Sequence, residues 1–180
     1  MDRPHGEPAA PPGAGARVVF RESQRAREPW VLVVVGGVAL AFLGGLAGAI
    51  ATGTFRPAAL LVVVPFGVML PVLVLAMHLV TEVRADGIYV RFTPFHLAFR
   101  RFAFADLASV HLRRYSPIRE YGGWGLRRGP SGWAYNLTGD VGLQLVSKDG
   151  ERLLVGTRQP EALWAAILRV APRAPGAPPA

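Results

Sequence analysis

The chain contains no cysteine. Disulfides, thiolate nucleophiles, iron–sulfur clusters and cysteine-ligated zinc are thereby excluded. Lysine is almost missing as well, since Lys148 is the single one and the other nineteen basic residues are arginine. Charged residues make up 18% of the 180 residues, against roughly 25% in soluble domains, and 51% are hydrophobic. An ordinary cytosolic enzyme is not composed this way. Catalytic signatures are lacking too: there is no HExxH, no Walker A loop, no GxGxxG after a strand and no metal-ligand spacing. Gly129-Pro130-Ser131-Gly132-Trp133 starts like a nucleophile elbow, but Trp133 stands where the final glycine belongs. His96 and His111 lie in strand-like patterns without nearby carboxylates at telling spacing, and Asp106, Asp140 and Asp149 read as turn or cap residues. No catalytic residue, metal ligand or cofactor is assigned, and no enzymatic activity is expected.

What the chain does have is two long apolar runs. Residues 29–55 carry no charge, and after Arg56 residues 57–81 carry none beyond the titratable His78. About 20 helical residues cross a hydrocarbon core of roughly 30 Å, so transmembrane helices are expected at 30–52 and 58–80. A cleavable signal peptide does not fit, because some 30 mostly polar residues precede an apolar run longer than a signal core. Arg3, Arg17, Arg21, Arg25 and Arg27 lie before the first run and fourteen basic residues lie after the second, whereas the connector holds only Arg56. The positive-inside rule then predicts a multi-pass protein of the cell membrane with both termini cytoplasmic. Pro57 suits the first turn of the second helix, while Pro65 and Pro71 predict a bend. Gly37, Ala41, Gly45 and Ala49 recur every four residues, with Gly44 and Gly48 on the adjoining face. Such a stripe allows close helix packing, either against the second span or against a protein partner or second copy.

Residues 1–28 read as a disordered, basic cytoplasmic segment and 171–180 as a disordered tail, because Pro, Ala and Gly dominate their outer parts. Between them, residues 82–170 show short alternating patterns with turn signals. Ile88, Val90 and Phe92 share a face, and further strands are expected at 97–104, 108–115, 133–137, 142–146 and 152–155. Asp149-Gly150 is a tight hairpin signal. Pro160 and Glu161 start a helix whose Leu163, Trp164, Ile167 and Leu168 fall on one face. The fold class expected is α+β: a two-helix transmembrane hairpin, then a barrel of about seven antiparallel strands capped by the C-terminal helix.

One segment has an unusual composition. Arg113, Arg114, Arg119, Arg127 and Arg128 face a single carboxylate, Glu120, over residues 113–128, and five of the eight Trp and Tyr residues fall between 115 and 135. Arginine forks engage phosphate or carboxylate, and flat aromatics stack or sit at a headgroup boundary. The five arginines are candidate contacts for anionic lipid or a partner, with Tyr121 and Trp124 as packing or interfacial anchors. The competing reading is a structural loop whose aromatics pack back on the core and whose arginines are only solvated. Nucleic acid is not expected as a partner, since no nucleic-acid-binding module is recognisable.

Tyr121-Gly122-Gly123-Trp124-Gly125-Leu126-Arg127, then Ala134-Tyr135-Asn136, Gly142-Leu143-Gln144-Leu145 and Gly156-Thr157-Arg158-Gln159-Pro160-Glu161 resemble bacterial two-span membrane proteins bearing a pleckstrin-homology-like domain. The resemblance covers roughly residues 30–170. It implies a seven-stranded, partly open barrel closed by a C-terminal helix and no enzymatic activity. The expected role is a binding or assembly module at the inner membrane surface; the alternative is an accessory subunit of a membrane transporter or enzyme complex, docking through its hairpin.

Overall fold

The computed structural model describes residues 17–171. The chain is α+β and forms two compact units, one of residues 25–77 and one in which the residues up to 24 join those from 78 onward. The outer part of the expected N-terminal segment, residues 1–16, and the tail from 172 lie outside the described residues.

The smaller unit is a helical hairpin. Helix α1 (Pro29–Ala51) starts with proline at a first-turn position, where its missing N–H costs nothing. It ends where the Thr52 hydroxyl donates to Gly48 O at 2.9 Å and Thr54 N to Ala49 O at 2.9 Å. Helix α2 (Pro57–Ala76) follows. Pro65 cannot donate, and over Val63–Met69 the ladder loosens to π geometry, in which Leu70 N bonds back to Pro65 O. A proline is absorbed in this way by local widening rather than by a break. The two helices are in close contact at Gly67, where a Cβ would lie 2.6 Å from that of Phe42, beside stacked Phe42 and Phe66 rings 6.1 Å apart. By length and composition both helices can cross a membrane.

The second unit holds two sheets. The first has the order β1-β2-β3-β4, built from β1 (Val18–Arg25), β2 (His78–Arg84), β3 (Gly87–Thr93) and β4 (Arg100–Ala103). The second has the order β5-β8-β9-β7-β6, built from β5 (Leu107–Arg114), β6 (Gly125–Gly129), β7 (Gly132–Asn136), β8 (Val141–Ser147) and β9 (Arg152–Gly156). Helix α3 (Pro117–Tyr121) lies between β5 and β6 in sequence, and α4 (Pro160–Val170) closes the unit. The α4 face of Leu163, Ala166 and Ile167 is buried, and the helix packs on β2 and β8, one strand from each sheet. Leu79, Val83, Ile88, Phe92, Val110, Leu143, Leu145 and Leu154 form the core, none more than 1% exposed.

Four sequence-based expectations are corrected. Part of residues 1–28 is ordered: 18–25 form β1, a strand whose polar residues Glu22 and Gln24 are the buried ones, so that an apolar alternation signal never arises. The second helix stops at Ala76 rather than 80, because the uncharged run contains two elements and His78, Leu79 and Val80 already belong to β2. The strand expected at 97–104 shrinks to Arg100–Ala103. The barrel of about seven antiparallel strands is instead two sheets with nine strands among the described residues, and β7 pairs with β9 in parallel, Trp133 opposite Leu153 and Tyr135 opposite Val155. Among the described residues the sheets do not close into a single barrel. At Asp149-Gly150 a turn forms as expected, but only Gly150 has positive φ, and Ser147 N bonds across to Glu151 O. The turn is wider than a two-residue hairpin.

Candidate functional site

Helix α3 sits in the middle of the arginine-rich segment and is capped at both ends. The Ser116 hydroxyl accepts from Arg119 N, the Glu120 carboxylate accepts from Ser116 N at 2.8 Å, and Gly122 closes the helix in a left-handed conformation. This reciprocal capping is what lets five residues form a helix at all.

Arg113 is consumed inside the fold. Its guanidinium pairs with Glu120 Oε2 at 2.8 Å and donates to Gln144 Oε1 at 2.9 Å, to the Tyr121 hydroxyl at 3.1 Å and to Arg114 O at 3.3 Å. With all these partners it is a strut joining β5, β8 and α3. Tyr121 is only 4% exposed and meets Tyr115 edge-on at 6.1 Å, in a cluster with Ala134 and Leu154. Burial pushes its hydroxyl up in pKa, with Arg113 opposing. Tyr121 is therefore a core residue, not an interfacial anchor. Trp124 is half-buried and donates from Nε1 to Gly139 O at 3.4 Å.

The other four arginines are exposed. Arg114 lies 4.0 Å from Asp140 across solvent, Arg127 donates to Trp124 O at 3.2 Å, and Arg128 lies 5.9 Å from the centroid of the Trp133 ring. Arg119 projects from α3. Arg114 is on β5 and Arg127 and Arg128 on β6, the two edge strands of the five-stranded sheet, and α3, which carries Arg119, packs on β6. The segment that looks continuous in sequence is thus an internal strut, a core tyrosine and four exposed cations.

The glycine-stripe residues Gly37, Ala41, Gly44, Gly45, Gly48 and Ala49 lie on α1, yet a Cβ placed on any of the four glycines would meet nothing within 4 Å. The close approach between the helices uses Gly67 of α2 instead. The stripe is not the hairpin's own seam.

Two features escaped sequence reasoning. The first is a buried polar cluster in which Glu22 of β1, 3% exposed, accepts from Thr157 Oγ1 at 2.6 Å, Arg158 N at 2.7 Å and Gln24 Nε2 at 3.0 Å. Gln24 in turn donates to Gly156 O at 2.8 Å and accepts from Thr138 Oγ1. These bonds tie the first sheet to the end of β9. Nothing in an Arg-Glu-Ser-Gln run announces burial. The second is the loop 94–99, where Phe95 and Leu97 are exposed while His96 turns inward, 5.6 Å from the Tyr135 ring. Burial, then Arg100, holds the His96 pKa below its usual value. In the cluster with Tyr121, burial pushes the Tyr115 hydroxyl up to about 12, with the Asn136 side chain opposing.

Among the described residues no group of three His, Asp or Glu side chains is placed to hold a metal ion. The Ser116 hydroxyl caps α3.

The model of a family of unknown function, DUF6141, matches residues 17–173, a range that takes in β1, the hairpin and both sheets through α4. No curated protein and no solved structure matches the chain.

Proposed function

The chain belongs to the DUF6141 family, and from that premise we propose a two-span membrane protein, not an enzyme, whose sheet unit is a pleckstrin-homology-like binding or assembly module on the cytoplasmic face. The observation that carries this reading is the pairing of β1 with β2. One strand precedes the first apolar helix and the other follows the second. Both ends of the hairpin therefore feed one folded unit, which requires them to be on the same side of the bilayer. Arg21, Arg25, Arg27 and Arg84 favour the cytoplasmic side. The C-terminal helix closing the sheets is the feature shared with a pleckstrin-homology-like module.

Of the proposed anionic contacts, Arg114, Arg119, Arg127 and Arg128 keep that role and Arg113 and Tyr121 become internal supports. Each arginine that reaches an acidic membrane surface contributes about 1 kcal/mol. Capture of anionic vesicles by the full-length protein in nanodiscs should weaken and lose salt dependence when these four are changed to glutamine; unchanged capture overturns the anionic-surface role. Sidedness is tested through Lys148→Cys, a unique thiol in this chain. Labelling only from the outer face overturns the orientation.

The open glycine face of α1 favours a second reading, an accessory subunit that docks on another protein's helices. Purification in mild detergent tests it: a stoichiometric foreign partner supports it, and a lone monomer or homodimer speaks against it.

A further inference from the structure

The six-residue loop 94–99 joins β3 to β4 and carries two large apolar side chains in solvent, Phe95 at 48% and Leu97 at 78% exposure. Its backbone is held in place. His96 N donates to Phe92 O at 2.7 Å, the Phe95 ring lies 5.8 Å from Phe92, and the His96 ring rests on Tyr135. The loop, fixed on its inner side, thus presents Phe95 and Leu97 outward.

The register says where this loop is. Thr93, its last strand neighbour, pairs with His78, and His78 comes directly after Met77, the C-cap of the second apolar helix. That helix has 20 residues, a length of about 30 Å, which matches the hydrocarbon thickness, so the residues just beyond it fall in the headgroup layer of about 5–7 Å. The opposite end of the same sheet, at the Asp86–Gly87 turn, is a strand length away. Basic residues flank the loop: Arg91 stands over the Phe99 ring at 4.7 Å, and Arg100 opens β4. Apolar tips bordered by arginine at headgroup depth are the composition of an interfacial anchor.

We propose that the loop 94–99 inserts Phe95 and Leu97 into the headgroup–acyl boundary of the membrane that the hairpin spans. This rests on the reading of α1 and α2 as membrane spans. The loop is a third attachment point of the chain to the bilayer.

The absence of cysteine makes the test direct. Full-length protein in liposomes is labelled with an environment-sensitive fluorophore at one position per sample, through Leu97→Cys, Lys148→Cys in the far β8–β9 turn, or Val33→Cys within α1. Aqueous iodide should quench the label at position 97 about threefold less than that at 148, and nitroxide lipids with shallow labels should quench it strongly. Phe95→Cys provides an independent second variant with the same expectation. The proposal is overturned if positions 97 and 95 respond like 148 while position 33 is quenched by deep nitroxide lipids. If position 33 is itself open to iodide, the membrane reading fails and the insertion falls with it.

Discussion

Glu22 shows how much one residue carries in this molecule. Three donors converge on its carboxylate in a site closed to water, and a shortened side chain leaves all three without an acceptor. Glu22→Ala should therefore cost about 2–4 kcal/mol, since hydrogen bonds to a buried charge and the desolvation of abandoned donors both count. Denaturation of the detergent-solubilised protein followed by tryptophan fluorescence measures it, and a loss under about 1 kcal/mol would show the cluster to be dispensable. His96 has the opposite character, a group kept neutral. Its pKa is lowered in the fold from 6.5, by burial first and by Arg100 second, so the unfolded chain takes up the proton more readily. The stabilisation is complete above pH 6.5 and is lost as the pH falls through the lowered folded value. Denaturation midpoints should drop on acidification below about pH 6.5, and His96→Gln should flatten that part of the profile. An unchanged slope in the variant would assign the acid sensitivity to other groups.

Among the elements, the two apolar helices invert the expected division of labour. α1 carries the glycines, but α2 supplies the one glycine that matters to their contact, because Phe42 needs the space above Gly67. Gly67→Leu should cost the hairpin about 1–3 kcal/mol by overpacking, seen as a lower melting temperature in detergent, whereas Gly45→Leu should leave it unchanged. Equal effects from both would mean that the α1 face is packed after all. β1 and β6 illustrate a different limit of sequence reading. Strand signals rest on apolar alternation, and β1 buries Glu22 and Gln24 while β6 is Gly-Leu-Arg-Arg-Gly. β3, whose Ile88, Val90 and Phe92 share a face and are at most 1% exposed, was legible from its alternating sequence.

For the whole molecule, the insertion of the hairpin between β1 and β2 is the organising fact. Ala26 N bonds to Met77 O at 3.4 Å, Ser23 meets His78 at 2.7 Å and Arg21 lies 3.6 Å from Glu82. These contacts step along the two chains in opposite directions, so the strands are antiparallel, and the entire hairpin occupies the place of a turn. Replacing residues 26–77 by Asn-Gly, a two-residue turn suited to antiparallel strands, should yield a water-soluble chain with the strand content of the parent, read by circular dichroism and by amide exchange. A chain starting at residue 82 lacks β1 and half of β2 and should aggregate or remain unfolded. If that shorter chain folds as well as the first, β1 is not part of the unit.

The linear order of residues by itself determined the two apolar helices, the strand-rich character of the region after them and the C-terminal helix, since charge-free length and periodicity are local properties; the end of the second helix at Ala76 was set by the pairing of His78, Leu79 and Val80 with β3. The linear order also contained the motifs around 121–127 and 156–161, though not what they do. Only the tertiary structure decided that residues 18–25 complete a sheet, that Arg113 and Tyr121 face inward while Leu97 faces outward, and that the stripe on α1 is left open. Each of these depends on which distant backbone supplies a hydrogen-bond partner or covers a side chain. A glutamate bonded to Thr157 and Arg158 across the sequence looks, read in line, like any solvated glutamate.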